Sequence, residues 1–165
     1  MLISCLLLGC VAIGQQYSPR EQTTSSDPQI IVFRISQIGG NAGTWVPTRI
    51  EVNEKEIAKL PDDSFIAFNV LAGEITLSAT PMFNLHYSDK NRVTLRVRVG
   101  IGEVAYFRIV SVFGRGCTEI FEKVDGSELA YTTHYPRPDW AQTVCFQQVP
   151  KTVALKELMN LKQAN

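Results

Sequence analysis

Phe65-Ile66-Ala67-Phe68-Asn69-Val70-Leu71-Ala72-Gly73-Glu74-Ile75-Thr76-Leu77-Ser78-Ala79 is the stretch whose reading decides the fold. Two short apolar runs flank Ala72-Gly73, and in the second run Ile75, Leu77 and Ala79 alternate with Glu74, Thr76 and Ser78. Alternation with a period of two marks a strand with one face against a core, and a glycine supplies the positive φ that a short turn needs. The stretch predicts a hairpin, with one strand on each side of a tight Ala-Gly turn.

The same signals recur on both sides. Ile30-Ile31-Val32-Phe33-Arg34-Ile35-Ser36 predicts a first strand with Ile31, Phe33 and Ile35 on one face and Ile30, Val32 and Arg34 on the other, both partly covered. After a glycine-rich loop at 39–43, Trp45-Val46-Pro47 leads into a strand at Arg49-Ile50-Glu51-Val52. Asn53-Glu54-Lys55 makes a turn, and Glu56-Ile57-Ala58-Lys59-Leu60 returns as a short strand. Pro61-Asp62-Asp63-Ser64 is a turn with proline pre-set for it. Residues 81–91 read as a long connection. Thr94-Leu95-Arg96-Val97-Arg98-Val99 alternates strictly, Gly100-Ile101-Gly102-Glu103 turns the chain, and a long strand over 104–112 completes a second expected hairpin.

Beyond Val112 the pattern loosens. Residues 114–122 could hold another strand, Ser127 to Trp140 read as a loop rich in tyrosine, histidine and proline, and Thr143 to Val149 read as a strand. Thr152 is placed to cap a helix that gathers Val153, Leu155, Leu158, Met159 and Leu161 on one side. A chain of 165 residues suits one domain with a real core. Sixteen basic residues balance sixteen acidic ones, so no overall field recruits nucleic acid, and nucleic acid is excluded from the expected partners.

Met1-Leu2-Ile3-Ser4-Cys5-Leu6-Leu7-Leu8-Gly9-Cys10 is an apolar run too short to span a bilayer, which takes roughly 20 residues. Leu7-Leu8-Gly9-Cys10 resembles a bacterial lipoprotein box, which implies a signal peptide over 1–10 and lipid acylation of Cys10 as the anchor. Val11 follows where the inner-membrane retention signal of many lipoproteins has Asp, so the resemblance implies the outer membrane, facing the periplasm. Two readings compete: secretory cleavage near Ala12-Ile13-Gly14 with release of a soluble periplasmic protein, and a buried first element. Gln15 to Gln29 is polar, with prolines at 19 and 28 and no apolar period, which predicts a disordered tether over 11–29 reaching on the order of 20 Å.

Several stretches together carry a wider resemblance: Phe33-Arg34, Ile50 to Leu60, Phe65 to Val70, Ala72-Gly73-Glu74-Ile75-Thr76-Leu77, Gly102-Glu103 and Tyr106-Phe107-Arg108-Ile109. Over residues 30–112 the chain resembles a family of bacterial envelope lipoproteins of unknown function whose domain is similar to the PEGA domain, a small β-sandwich. Asn53-Glu54-Lys55 stands where that family prefers Asp-Gly-Lys, and Ala72-Gly73-Glu74 stands for Pro-Gly-His. The resemblance implies an all-β fold, a small antiparallel PEGA-like or transthyretin-like sandwich, and together with the strand and helix patterns beyond Val112 the expected organisation is a sandwich over 30–150 followed by a C-terminal helix over 151–165. It carries no catalytic residues across.

Candidate chemistry is sparse. Cys117 and Cys145 could close a disulfide in an oxidising compartment or remain two buried thiols, and four cysteines with two histidines show no metal-ligand spacing. No metal or other cofactor is expected. His86 and His134 each sit beside a tyrosine in a loop, and an enzyme would need them to converge with an acidic partner. Asp62-Asp63 and Asp125-Gly126-Ser127 read as turns rather than as an acid-base pair or a nucleophile.

Arg92, Arg96, Arg98 and Arg108 could line one sheet face and bind phosphate or carboxylate groups of lipopolysaccharide or peptidoglycan, or could be a solvated face. Trp45, Trp140, Tyr131 and Tyr135 offer either a recognition cluster or plugs for the sandwich ends. The expectation from sequence is a membrane-anchored, non-enzymatic binding or structural module of the bacterial envelope with other envelope components as partners. The alternative is a soluble periplasmic or surface enzyme using loop His and Asp residues.

Overall fold

The computed structural model describes residues 17, 27–35, 47–83, 86–113, 121–124, 127–130 and 142–164. Among the described residues twelve strands and one α-helix occur in the order β1 (Gln29–Arg34), β2 (Thr48–Val52), β3 (Lys55–Leu60), β4 (Ser64–Asn69), β5 (Gly73–Phe83), β6 (His86–Tyr87), β7 (Val93–Val99), β8 (Val104–Phe113), β9 (Phe121–Val124), β10 (Ser127–Ala130), β11 (Gln142–Gln148), α1 (Lys151–Leu158) and β12 (Lys162–Gln163). The first sheet has the order β11-β8-β1-β4-β12. The second runs β3-β2-β5-β6, with β7 on the other edge of β5, and β9 and β10 pair separately. The fold is an all-β sandwich with a short C-terminal helix. It is not antiparallel throughout, because β1 pairs with β8, and β12 with β4, in parallel.

Both expected hairpins prove to be crossings between the sheets. β4 pairs with β1 and β5 pairs with β2 and β7, so the chain passes from one layer to the other through residues 70–72, with Gly73 at φ +134°. In the same way β7 lies in the second sheet and β8 in the first. The apolar pattern is the same in either arrangement: Ile66 and Phe68 face the interior from one side, Ile75 and Leu77 from the other. Alternation says which face is buried and is silent on whether the neighbouring run lies beside it or opposite.

The β2–β3 hairpin is where the turn residues put it. Val52 pairs with Lys55 around Asn53 (φ 47°) and Glu54 (φ 68°), two left-handed residues in succession, as a two-residue hairpin turn requires. The Asn53 side chain also accepts from the Thr76 N–H at 2.9 Å, pinning the turn to β5. Residues 81–83, expected in a connection, continue β5, and β6 folds back on Met82 and Phe83. Ser127–Ala130, expected in a loop, is a strand that pairs with β9, and the intervening sequence Asp125-Gly126 is a dipeptide that hairpins favour.

Between the sheets lies the main core: Ile30 and Val32 from β1, Ile50, Leu60, Leu77 and Ala79 from the second sheet, and Phe107, Ile109, Val144 and Phe146 from β8 and β11. Phe107 meets Phe146 edge to face at 6.4 Å. A second core covers the opposite face of the first sheet, where Ile31, Phe33, Phe65 and Tyr106 pack against Val153, Ala154, Leu158 and Leu161. The molecule thus has three layers, helix on sheet on sheet. The reading of β1 as covered on both faces, with the parity assigned to its side chains, matches these two cores.

The C-terminal segment departs from expectation. Pro150, not Thr152, occupies the N-cap position, the helix stops at Leu158, Met159 is exposed, and Lys162-Gln163 joins β4 as a strand. Proline suits a helix start because the missing N–H would have no helical partner there. The 151–165 helix is therefore eight residues of helix and a short strand. Tyr17, in the stretch expected to be a tether, lies on this outer layer: its N–H meets the Leu161 carbonyl at 3.4 Å and its ring packs edge to face on Phe65 at 5.2 Å. The Tyr17 and Tyr106 hydroxyls are hydrogen-bonded, and burial, with Tyr17 adding to it, pushes the Tyr106 hydroxyl up to about 12.

Candidate functional site

The outer face of the second sheet is polar because alternate residues of β2, β5 and β7 point away from the core. Register places Arg49 opposite Thr80 and Glu51 opposite Ser78 on one side of β2, and Ser78 opposite Thr94 across β5. Charged residues two apart on one strand share a face, so Arg49 and Glu51 stand together. Arg49 Nε lies 3.5 Å from Glu51 Oε1, Arg92 Nη2 lies 3.2 Å from Glu51 Oε2, and Arg49 Nη2 donates to Asp89 Oδ1 at 3.1 Å. Glu51 is buried beneath the two guanidinium groups.

Tyr87 adds a ring to this face. Arg49 Cζ sits 5.2 Å and Lys59 Nζ 5.8 Å from its centroid, both within range of a cation–π attraction. Burial raises the Tyr87 hydroxyl above its ordinary value, Glu56 raises it further, and Arg49 pulls it back. Below the charged residues Ser78 and Thr94 share a hydroxyl hydrogen bond at 3.2 Å, while Thr80 Oγ1, Tyr87 Oη and Arg92 Nε make no hydrogen bond among the described residues.

Of the four arginines, Arg92, Arg96 and Arg98 belong to this face. Arg96 and Arg98 are exposed on β7 opposite Thr76 and Glu74. Arg108 does not join them. It lies on β8 in the first sheet, where Nε donates to Gln147 Oε1 at 2.8 Å and Nη1 to Glu157 Oε1 at 2.6 Å. Arg108 clamps α1 to the sheet. Burial raises the Glu157 carboxyl above its ordinary range and Arg108 acts against that rise.

Asp62 is a structural partner rather than an acid-base group: its carboxylate lies 2.6 Å from Arg34 Nε, and Arg34 Nη1 donates to Thr48 Oγ1 at 3.1 Å. Burial pulls the Arg34 guanidinium down while Asp62 raises it. Asp63 follows at φ 53° in the β3–β4 turn, and Ser64 Oγ donates to the Pro61 carbonyl at 2.6 Å, so the turn reading of this segment matches the geometry.

His86 is exposed on β6. Cys145 on β11 is disulfide-bonded. Cys10, Cys117, His134, Asp125, Trp45, Trp140, Tyr131 and Tyr135 lie outside the described residues. Among the described residues no cluster of three His, Cys, Asp or Glu side chains could hold a metal ion, and no helix is long and apolar enough to cross a membrane.

The cluster of Arg49, Glu51 and Tyr87 escaped the sequence reading. The signal for its first half was present in Arg49-Ile50-Glu51, an i, i+2 charge pair on a half-buried strand. Tyr87 was hidden in a segment read as a connection. What this face offers chemically is recognition through the exposed guanidinium forks of Arg96 and Arg98, suited to acidic groups, whereas Ser78 and Thr80 are buried and Arg49 and Arg92 are paired with Glu51 and Asp89. Compared with known proteins, the chain matches no family model, no curated protein and no solved structure.

Proposed function

We propose that this protein is an exported, lipid-anchored component of the bacterial envelope, held by Cys10 on the periplasmic side of the outer membrane. Its sandwich acts as a non-enzymatic binding or structural module. The observation that carries the reading is the disulfide at Cys145, since disulfides form and persist in oxidising compartments such as the periplasm. The Leu7-Leu8-Gly9-Cys10 pattern supplies the route there and the means of anchoring. Cys117 is the proposed partner of Cys145. Several acyl chains, at about 0.8 kcal/mol per buried methylene, are enough for stable membrane attachment. The resemblance to PEGA-like lipoproteins over residues 30–112 agrees with this assignment.

The polar face of the second sheet is the proposed binding surface, with Arg96 and Arg98 as its accessible cations and acidic groups of peptidoglycan or lipopolysaccharide as the ligand chemistry. Cell fractionation of the wild type and Cys10→Ala, with mass spectrometry of the amino terminus, tests the anchor. The wild type sediments with outer membranes and carries acyl mass, and the variant moves to the soluble periplasmic fraction. An unchanged membrane fraction for Cys10→Ala would sink the anchor assignment.

A further inference from the structure

β7 is an open edge of the second sheet. Its seven residues pair with β5 in unbroken register, and it pairs with no other strand among the described residues. The other edges are blunted. β6 and β12 are two residues long, β3 pairs through a register shift at Ile50/Glu51, and β11 is buried from Val144 to Gln147. Proteins protect sheet edges with short strands, bulges, prolines or charges, and β7 has only the last of these.

Hydrogen bonding fixes which groups of β7 face the open side. Asn53 N–H donates to the Thr76 carbonyl at 2.8 Å, so Thr76 turns its peptide groups toward β2. In an antiparallel ladder successive residues turn these groups to opposite sides, so Ile75 and Leu77 bond toward β7, where Val97 and Leu95 meet them. The backbone N–H and C=O groups of Thr94, Arg96 and Arg98 are thereby directed to the open edge. The same three residues put their side chains on the outer face, where Arg96 and Arg98 are exposed and form no ion pair among the described residues. On the inner face Leu95 and Val97 pack against the main core and remain only partly buried.

We infer that the β7 edge accepts an extended, acidic segment of a partner protein as an added strand. The outward peptide groups supply the hydrogen bonds, Arg96 and Arg98 stand opposite acidic side chains, and Leu95 and Val97 stand opposite apolar ones that widen the core. The occupant is thus a segment in which acidic and apolar residues alternate. A second copy of this chain fits poorly, because the longest pairings of β7 with itself set arginine against arginine, and like charges directly opposite are destabilising. A phosphate or a sugar acid supplies the charge but no ladder of peptide groups. The inference rests on the reading of the β7 arginines as a surface for acidic groups, and it is independent of the Cys10 anchor.

The test titrates the full chain, carrying Cys10→Ala, with three short synthetic peptides: glutamate and valine alternating, the same residues in two blocks, and the alternating peptide with its glutamate amides N-methylated. The alternating peptide should bind about tenfold more tightly than the other two, and the double variant Arg96→Glu, Arg98→Glu should weaken it by about tenfold. In hydrogen exchange followed by NMR, bound peptide should slow the amides of Thr94, Arg96 and Arg98, while those of Leu95 and Val97, already bonded to β5, change little. Equal binding of the three peptides, or no binding of the alternating one, would overturn strand addition. Retention of the same double variant on insoluble peptidoglycan is read separately, so the surface for acidic groups can stand where strand addition falls.

Discussion

β1 and β7 are strands of similar length in opposite sheets, and they reach burial by different routes. None of Ile30 to Arg34 in β1 exposes more than 2% of its surface, because one face meets the second sheet and the other meets α1. In β7 the buried Val93 and Val99 share the strand with exposed Arg96 and Arg98, since only one face is covered. An unbroken apolar run thus requires a third layer, whereas strict alternation announces a face left to water. The helix is what the first sheet has and the second lacks.

The contrast is sharpest in the response to truncation. Phe33→Ala removes a ring buried in the helix-side core and should cost about 3–5 kcal/mol, read as a fall in the denaturant midpoint, whereas Arg98→Ala should stay within about 0.5 kcal/mol. Equal losses would mean that the outer face of the second sheet is covered in solution. Leu158→Ala opens the helical layer alone and should cost about 2–5 kcal/mol, with the larger change in amide exchange on β1 and β4 than on β2 and β5.

A smaller effect, and of opposite sign, is expected in the second sheet. Glu54 holds φ 68° without being glycine, so Glu54→Gly should raise stability by up to about 1 kcal/mol in the same unfolding assay. The smallest effect concerns acid. Burial raises the Glu157 carboxyl above its unfolded value, so the folded state holds that proton more tightly. Its contribution is then fully present below the ordinary carboxylate range and is lost as pH rises through the raised value. Wild type should lose ground against Glu157→Gln across that window, read as the difference between their denaturant midpoints at each pH.

Strands were readable wherever local pattern decides, as in Ile30 to Ile35, Arg49 to Val52 and Thr94 to Val99, and so was the turn at Asn53-Glu54. Pairing was not. The stretch around Ala72-Gly73 has the same alternation in a hairpin and in a corner between sheets, and only distant strands, β1 for β4 and β2 for β5, choose between them. Arg108 shows the same limit at a single residue. Its type and spacing suit a basic stripe, and its role is set by Gln147 and Glu157, 39 and 49 residues further along the chain. The arginine face was half legible, because β7 announces Arg96 and Arg98 locally while Glu51 and Tyr87 reach Arg49 and Arg92 through register and through a connection that is partly strand.

The placement of β1 also bears on how the chain is made. Its parallel neighbour begins at Val104, and the helix that shields its other face begins at Lys151. During synthesis Ile30-Ile31-Val32-Phe33 therefore emerges early and waits, uncovered, for sequence that is translated much later. Such long-range closure slows folding and leaves the nascent chain open. Until the last layer arrives, the two faces of this strand lack the cover that the second sheet and α1 give them.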